Sequence, residues 1–234
     1  MSYVPVIAFV SPKGGVGKTT ASMTLASEFV YQFDDTITVI DADPNYPFKR
    51  LMNLGKLPEK LNVILDQSEE TILDNIEKAR KNSRAVIIDL EGTKNMRVTY
   101  AVSKADLVII PVQGSILDAN EAAEAIKLIR RTEKGFGLKI DYSILFTRMP
   151  AALVSRNFLD ISQQFSDNMI PVLPTTLVER EAFKTMFSTG RALHDLKDSQ
   201  VSGLEKAKMD SYALAEAVVE RINQNRKNQA QAAA

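Results

Sequence analysis

Lys13 and Lys18 bracket three glycines in the stretch Val10-Ser-Pro-Lys-Gly-Gly-Val-Gly-Lys-Thr-Thr20. Residues of these types at this spacing can hold a phosphate. Gly14, Gly15 and Gly17 let the backbone turn sharply and bring its N–H groups, that of Val16 among them, close to an anion. A helix that begins immediately afterwards adds the partial positive charge of its N-terminus. Lys18 would then reach the β- and γ-phosphates of a nucleoside triphosphate. The hydroxyl of Thr19, with Thr20 behind it, is placed for Mg²⁺. The usual template, G-x-x-x-x-G-K-[ST], requires glycine at position 12, where this chain has Pro12. Lys13 is a second lysine that the template does not ask for. The competing reading is a strand–helix turn with a structural role only; G-K-T-T between a strand and a helix weighs against it.

Carboxylates stand where a phosphate-bound cation would need them. Asp41 and Asp43 lie in Asp41-Ala-Asp-Pro44, after an apolar run. Asp89 ends another apolar run, as a Walker B aspartate does, and would hold Mg²⁺ directly or through water. Gly92, three residues on, would offer its backbone N–H to a γ-phosphate. Each aspartate also has a plainer reading as a helix N-cap or turn residue.

These residues need a scaffold. Runs rich in β-branched residues at 4–10, 36–40, 85–88, 107–112, 140–146 and 170–173 read as buried strands. Helical spacing recurs at 19–33, 69–82, 117–131, 154–165, 180–187 and 204–222. Residues 45–67 read as irregular, with a short helix near 47–54. The polar stretch 223–234 reads as a frayed tail. Alternating strands and helices define an α/β fold, a mostly parallel twisted sheet with helices on both faces. One domain over residues 1–225, with 226–234 as tail, is the simplest division. Lys13, Asp41, Asp43, Asp89, Gln113 and Thr147 all sit at or just after strand ends. They should converge on one edge of the sheet, where such folds bind ligands.

Composition removes several functions. Lys+Arg and Asp+Glu both number 29, so nucleic-acid binding would require a local patch rather than a net basic field. There is no cysteine, which excludes disulfides, thiolate catalysis and cysteine-ligated zinc or iron–sulfur sites. No apolar run approaches the roughly 18 residues that span a membrane. The run at 4–10 is too short for a signal peptide and leads directly into the glycine loop. The expected location is cytoplasmic.

Lys13-Gly-Gly-Val-Gly-Lys-Thr-Thr20 resembles the deviant Walker A motif of the ParA/MinD family of P-loop ATPases. In that family the first glycine is dispensable and a signature lysine stands where Lys13 stands. The resemblance implies an ATP-sandwich homodimer in which Lys13 reaches the partner's phosphates. It would act there like an arginine finger supplied in trans. Asp41-Ala-Asp-Pro44 is similar to the family's D-x-D-P element. By that match Asp43 positions or deprotonates the attacking water and Asp41 supports the Mg²⁺ shell. Lys13, Lys18 and Asp43 are thus the implied catalytic residues, and Thr19, Asp41 and Asp89 the implied metal residues. ATP and Mg²⁺ are the implied cofactors. Asp89-Leu-Glu-Gly-Thr93 departs from the family's commoner D-x-P or D-x-A-P, and Glu91 either alters that switch or is a solvated side chain. The family places adenine near Thr147, Arg148 and the segment from Pro174 to Arg180. The segment 178–190 resembles ParA-like proteins of plasmids and of conjugative or T-DNA transfer systems.

ParA-like proteins bind DNA non-specifically through scattered basic residues. The matching stretch here runs from Arg180 through Lys184, Arg191, Lys197, Lys206 and Lys208, interrupted by four acids, Glu181, Asp195, Asp198 and Glu205. A solvated mixed-charge surface is the alternative. A second basic stretch runs through Lys127, Arg130, Arg131, Lys134 and Lys139. The resemblance implies nucleoid association and a separate activator or cargo-adaptor protein. A MinD-like membrane cycle is the rival; it needs an amphipathic C-terminal helix, and 223–234 contains no large apolar residue. The nitrogenase-iron-protein branch needs cysteine ligands and is excluded. His194, the single histidine, reads as a surface residue.

Overall fold

The computed structural model describes residues 3–92, 95–150, 156–199 and 201–232. Its strands are β1 (Val6–Phe9), β2 (Ile37–Ala42), β3 (Leu61–Leu65), β4 (Ala85–Leu90), β5 (Leu107–Val112), β6 (Tyr142–Met149) and β7 (Val172–Val178). They form one sheet in the order β3-β2-β4-β1-β5-β6-β7. Every neighbouring pair is parallel. The helices are α1 (Lys18–Phe33), α2 (Pro47–Asn53), α3 (Ile72–Asn82), α4 (Met96–Lys104), α5 (Ile116–Phe136), α6 (Arg156–Asp167), α7 (Glu181–Thr189) and α8 (Leu204–Ala232).

Strand side chains alternate between two cores, as the pleat requires. Ile7, Phe9, Ile37, Val39, Ile87 and Ile109 pack with the apolar stripes of α1, α2, α7 and α8. Val6, Ala8, Ile40, Val86, Ile88, Val108 and Ile110 face the other way, among residues of α3, α4, α5 and α6. Both faces are dry, so the strands read as continuous apolar runs rather than as alternating patterns.

The structure adds β3, α4 and a single 3-10 turn at Leu193–Asp195 to the expected set. β3 lies within the span read as irregular. It is an edge strand with Asn62 exposed and only Leu61 buried, so it lacks the apolar run that marks the central strands. α4 went unread because its helical stripe is short: Val98, Ala101 and Val102 are buried, and Asn95 caps it by accepting the Val98 N–H. β6 and β7 extend beyond the expected ends, β7 by five residues to Val178. α8 is helical to Ala232, where a frayed tail was expected; Arg226 lies over the Tyr3 ring and Arg221 binds Asp141, which ties its last turns to the body. The expected start of α6 at 154 and the tail's last two residues lie outside the described residues.

Gly190 ends α7 in the left-handed region, with φ of 71°. A Cβ there would lie 2.9 Å from the Leu54 Cβ and 3.3 Å from the Leu51 carbonyl oxygen of α2. Gly190→Ala combines that clash with backbone strain and should cost about 2 kcal/mol, read as a lowered urea midpoint. An unchanged midpoint would contradict the packing of α7 on α2.

Candidate nucleotide-binding site

β1 is the central strand, and the glycine loop leaves its carboxyl end between β4 and β5. Parallel register sets the acids around it: Phe9 pairs with Asp89, and Asp89 pairs with Asp41. Gly15 and Gly17 take positive φ of 77° and 94°. A Cβ on Gly14 or Gly15 would meet nothing within 4 Å, so the loop opens toward space a phosphate could fill. Val16 is buried beneath it. α1 starts at Gly17 with no side-chain cap and no acid in its first turn. A helix start of this kind leaves N–H groups available to an anion.

Lys18 is 9% exposed, and its ammonium folds back to the Ser11 and Lys13 carbonyls, each at 3.3 Å. Burial holds its pKa below the ordinary lysine value, against the opposing pull of Asp89, Asp43 and Glu91. Asp89 is fully buried, and burial pushes its pKa up to about 7. Its Oδ1 accepts from Ser22 at 3.2 Å, the Thr19 hydroxyl lies near enough to favour the charged carboxylate, and Oδ2 has no partner. A buried carboxylate oxygen with no donor, beside a threonine hydroxyl, fits a hard divalent cation. Among the described residues no three His, Cys, Asp or Glu side chains cluster as ligands. Such a site suits Mg²⁺, which takes one or two carboxylates and completes its shell with phosphate and water.

Asp41 is held by backbone donors. Its Oδ2 accepts the Phe48 N–H at 2.9 Å and its Oδ1 the Asp43 N–H at 3.4 Å, so the carboxylate closes the turn into α2. Burial raises its pKa to about 6. Asp43 is half-buried, and its Oδ1 accepts both the backbone and side-chain N–H of Asn45, at 2.8 and 3.0 Å. Gly92 comes near the loop: a Cβ there would lie 3.6 Å from the Pro12 carbonyl.

Thr147 and Gln113 brace the loop from below. The buried Thr147 hydroxyl donates to the Val16 carbonyl at 2.6 Å, and its Cβ would lie 3.4 Å from a side chain at position 17. Gln113 donates to the Gly15 carbonyl at 3.2 Å. Beside the loop opens a cleft of about 440 Å³, lined by Thr19, Thr20, Arg148, Arg180, Phe183 and Phe187, among others. Arg148 adopts φ of 52° at the end of β6, where the register against β7 slips. Pro174 is elsewhere. It lines a separate cavity with Phe146 and Phe158, because β7 continues past it and delivers Val178, Glu179 and Arg180 to the cleft instead.

Lys13 is turned away from its own loop. Its ammonium binds Asp118 Oδ1 at 2.6 Å, and that carboxylate is 1% exposed. Asp118 sits in the first turn of α5, capped by Ser115. The Ser115-x-x-Asp118 spacing marks the start of a helix, but nothing local marks Asp118 as the partner of Lys13. His194 also has partners: its ring stacks on Tyr31 at 3.6 Å, and Nε2 lies 2.8 Å from Glu28 Oε2.

The expected DNA contacts do not form one free patch. Lys184 lines the nucleotide cleft and pairs with Glu181 at 3.3 Å. Lys208 pairs with Glu205 at 2.8 Å, and Arg191 donates to the Asp195 carbonyl. Lys206 is exposed, and Lys197 has a partner of its own.

A parallel sheet with a glycine loop after its central strand, and the paired lysines of that loop, define a P-loop ATPase of the ParA/MinD class. The chain belongs to the VirC1 protein family, whose model matches residues 4–223. Protein ParA of Rhizobium radiobacter is 31% identical over 94% of this chain and 100% of its own length. Apo McdA superposes with a TM-score of 0.73 at 16% identity, over 92% of this chain and 100% of that one. An ATP complex of a Cyanothece McdA variant gives 0.72 at 16% identity, over 93% and 97%. MinD of Aquifex aeolicus gives 0.70 at 18% identity, over 93% and 98%.

Thr147→Val keeps the shape beneath the loop and removes the donor to Val16. The unpaired carbonyl should cost about 1–2 kcal/mol in chemical denaturation and weaken nucleotide binding in a fluorescence titration. Unchanged stability and affinity together would show that Thr147 does not brace the loop.

Proposed function

We propose that this chain is an Mg²⁺-dependent ATPase that closes on ATP as a homodimer, binds DNA without sequence preference in that state, and hydrolyses ATP slowly to ADP and phosphate. The cycle positions a plasmid, chromosome or transfer complex, together with a separate activator or adaptor protein, in the cytoplasm and on the nucleoid. The observation that carries this reading is the pair of lysines. Lys18 lies against the loop's own carbonyls, while Lys13, on the same loop, pairs with Asp118 of α5 instead. A second cation that does not serve its own cradle would serve another copy's on leaving Asp118.

The roles follow from position. The N–H groups of residues 14–20 and the Lys18 ammonium bind the β- and γ-phosphates. Thr19 and Asp89 would hold Mg²⁺, which neutralises phosphate charge as it develops. Asp43, on the turn after β2, orients the attacking water once it leaves Asn45. Arg148, Arg180 and Phe183 line the cleft in which the base would lie. Lys13 of the partner copy offsets charge on the transferring phosphoryl group. DNA contacts fall to exposed cations such as Lys206 and Lys197, doubled by dimerisation. The reading is supported by the ParA relative and by the ATP complex of McdA.

Sedimentation with DNA and with liposomes, with and without ATP and at two salt concentrations, tests the reading. DNA should sediment the chain only with ATP, and less at high salt. Binding to liposomes instead would overturn the DNA reading. Lys18→Ala should abolish ATP binding. Asp43→Ala should lower the hydrolysis rate on the order of 100-fold and leave an ATP-bound dimer on DNA. Normal turnover by that variant would remove Asp43 from the chemistry.

A further inference from the structure

Glu91 stands where the class commonly carries a plain D-x-P segment, and its surroundings are specific. Its Oε1 accepts from Arg97 Nη2 at 3.1 Å and from the side-chain amide of Asn95. Arg97 lies in the first turn of α4 and is 8% exposed. Its Nη1 donates to the Asp66 carbonyl at 3.1 Å and lies 3.7 Å from Asp66 Oδ2. Asp66 is fully buried, and its Oδ1 accepts from Thr71 at 2.8 Å and Asn75 at 2.9 Å. The Asp66 N–H donates to the Asp41 carbonyl at 2.9 Å.

One guanidinium therefore joins three strand ends. It holds β4 at Glu91 and β3 at Asp66, and it reaches β2 through the Asp66 amide. A buried arginine must be paired, and a planar fork can serve two acceptors on different edges where an ammonium cannot. Both donors to Glu91 fall on Oε1, so this carboxylate is an anchored acceptor rather than a base. Glu91 is also close enough to Lys18 to favour its charged form, which puts the anchor beside the phosphate site.

We infer that Glu91, held by Arg97 and Asn95, is a positioning residue that fixes the Gly92 N–H for the γ-phosphate and ties the strand end at Asp89 to the strand end at Asp41. This rests on the ATPase reading. Its consequence is selective. ADP has no γ-phosphate, so releasing the anchor weakens triphosphate binding and spares diphosphate binding.

The test titrates the full chain with fluorescent ADP and with a fluorescent non-hydrolysable ATP analogue. Glu91→Ala should weaken the analogue about tenfold and change ADP less than about twofold. Glu91→Gln keeps an acceptor for both donors and should recover most of the loss. Arg97→Lys should match Glu91→Ala; should that variant not fold, the Glu91 pair decides alone. Equal loss for both nucleotides, or no loss for either, overturns the inference. Failure of the unmodified chain to bind either nucleotide would instead overturn the ATPase reading.

Discussion

A buried carboxylate with an unused oxygen is the constraint around which this molecule is arranged. Asp89 lies at the end of a central strand with no solvent, and Oδ2 has no donor. Desolvation makes its charge expensive, and a nearby cation is what relieves it. Lys18 is the resident one, itself buried and folded onto backbone carbonyls. The parallel register that sets Asp89 level with Asp41 and Phe9 delivers these charges to a single point. An uncapped helix start and an open glycine loop face the same point. Sheet order, loop and acids together make the place where the proposed ATPase would hold a triphosphate and its metal.

In the proposed function the second lysine extends that logic beyond one chain. Lys13 and Asp118 form a close pair in which the carboxylate is buried and the ammonium half-exposed. Action on another copy's phosphates would require Lys13 to leave Asp118. A charge-assisted bond of this type is worth about 1.5–3 kcal/mol. The incoming phosphates must exceed that, which favours dimer closure with a triphosphate over closure without one. Asp43 is held in a comparable way by Asn45, so two catalytic candidates are engaged locally in the single chain.

What the sequence revealed followed how local the signals are. The central strands were legible because both faces are buried, and Leu107–Val112 was read to the residue. The loop was legible because glycines, Lys18 and Thr19 act through neighbours in sequence. β3 was not, because an edge strand needs no apolar run. Pro174 was misplaced since the end of β7 is set by pairing with β6, not by a local stop. Asp118 binds Lys13 across 105 positions and Arg97 meets Asp66 across 31, and no local pattern encodes such pairs. The surface lysines carried least information, as their meaning depends on which acid lies beside each.

The central claim is that one chain's site is completed by the lysine of another. Mixing two inactive variants tests it most directly. Lys13→Ala retains Asp43 and lacks the donated cation; Asp43→Ala retains the cation and lacks the acid. In a mixed dimer one site receives both groups. Random pairing places about half of the dimers in that state, each with one working site, and should restore about a quarter of the wild-type ATPase rate. A mixture no more active than the sum of its parts would contradict the account.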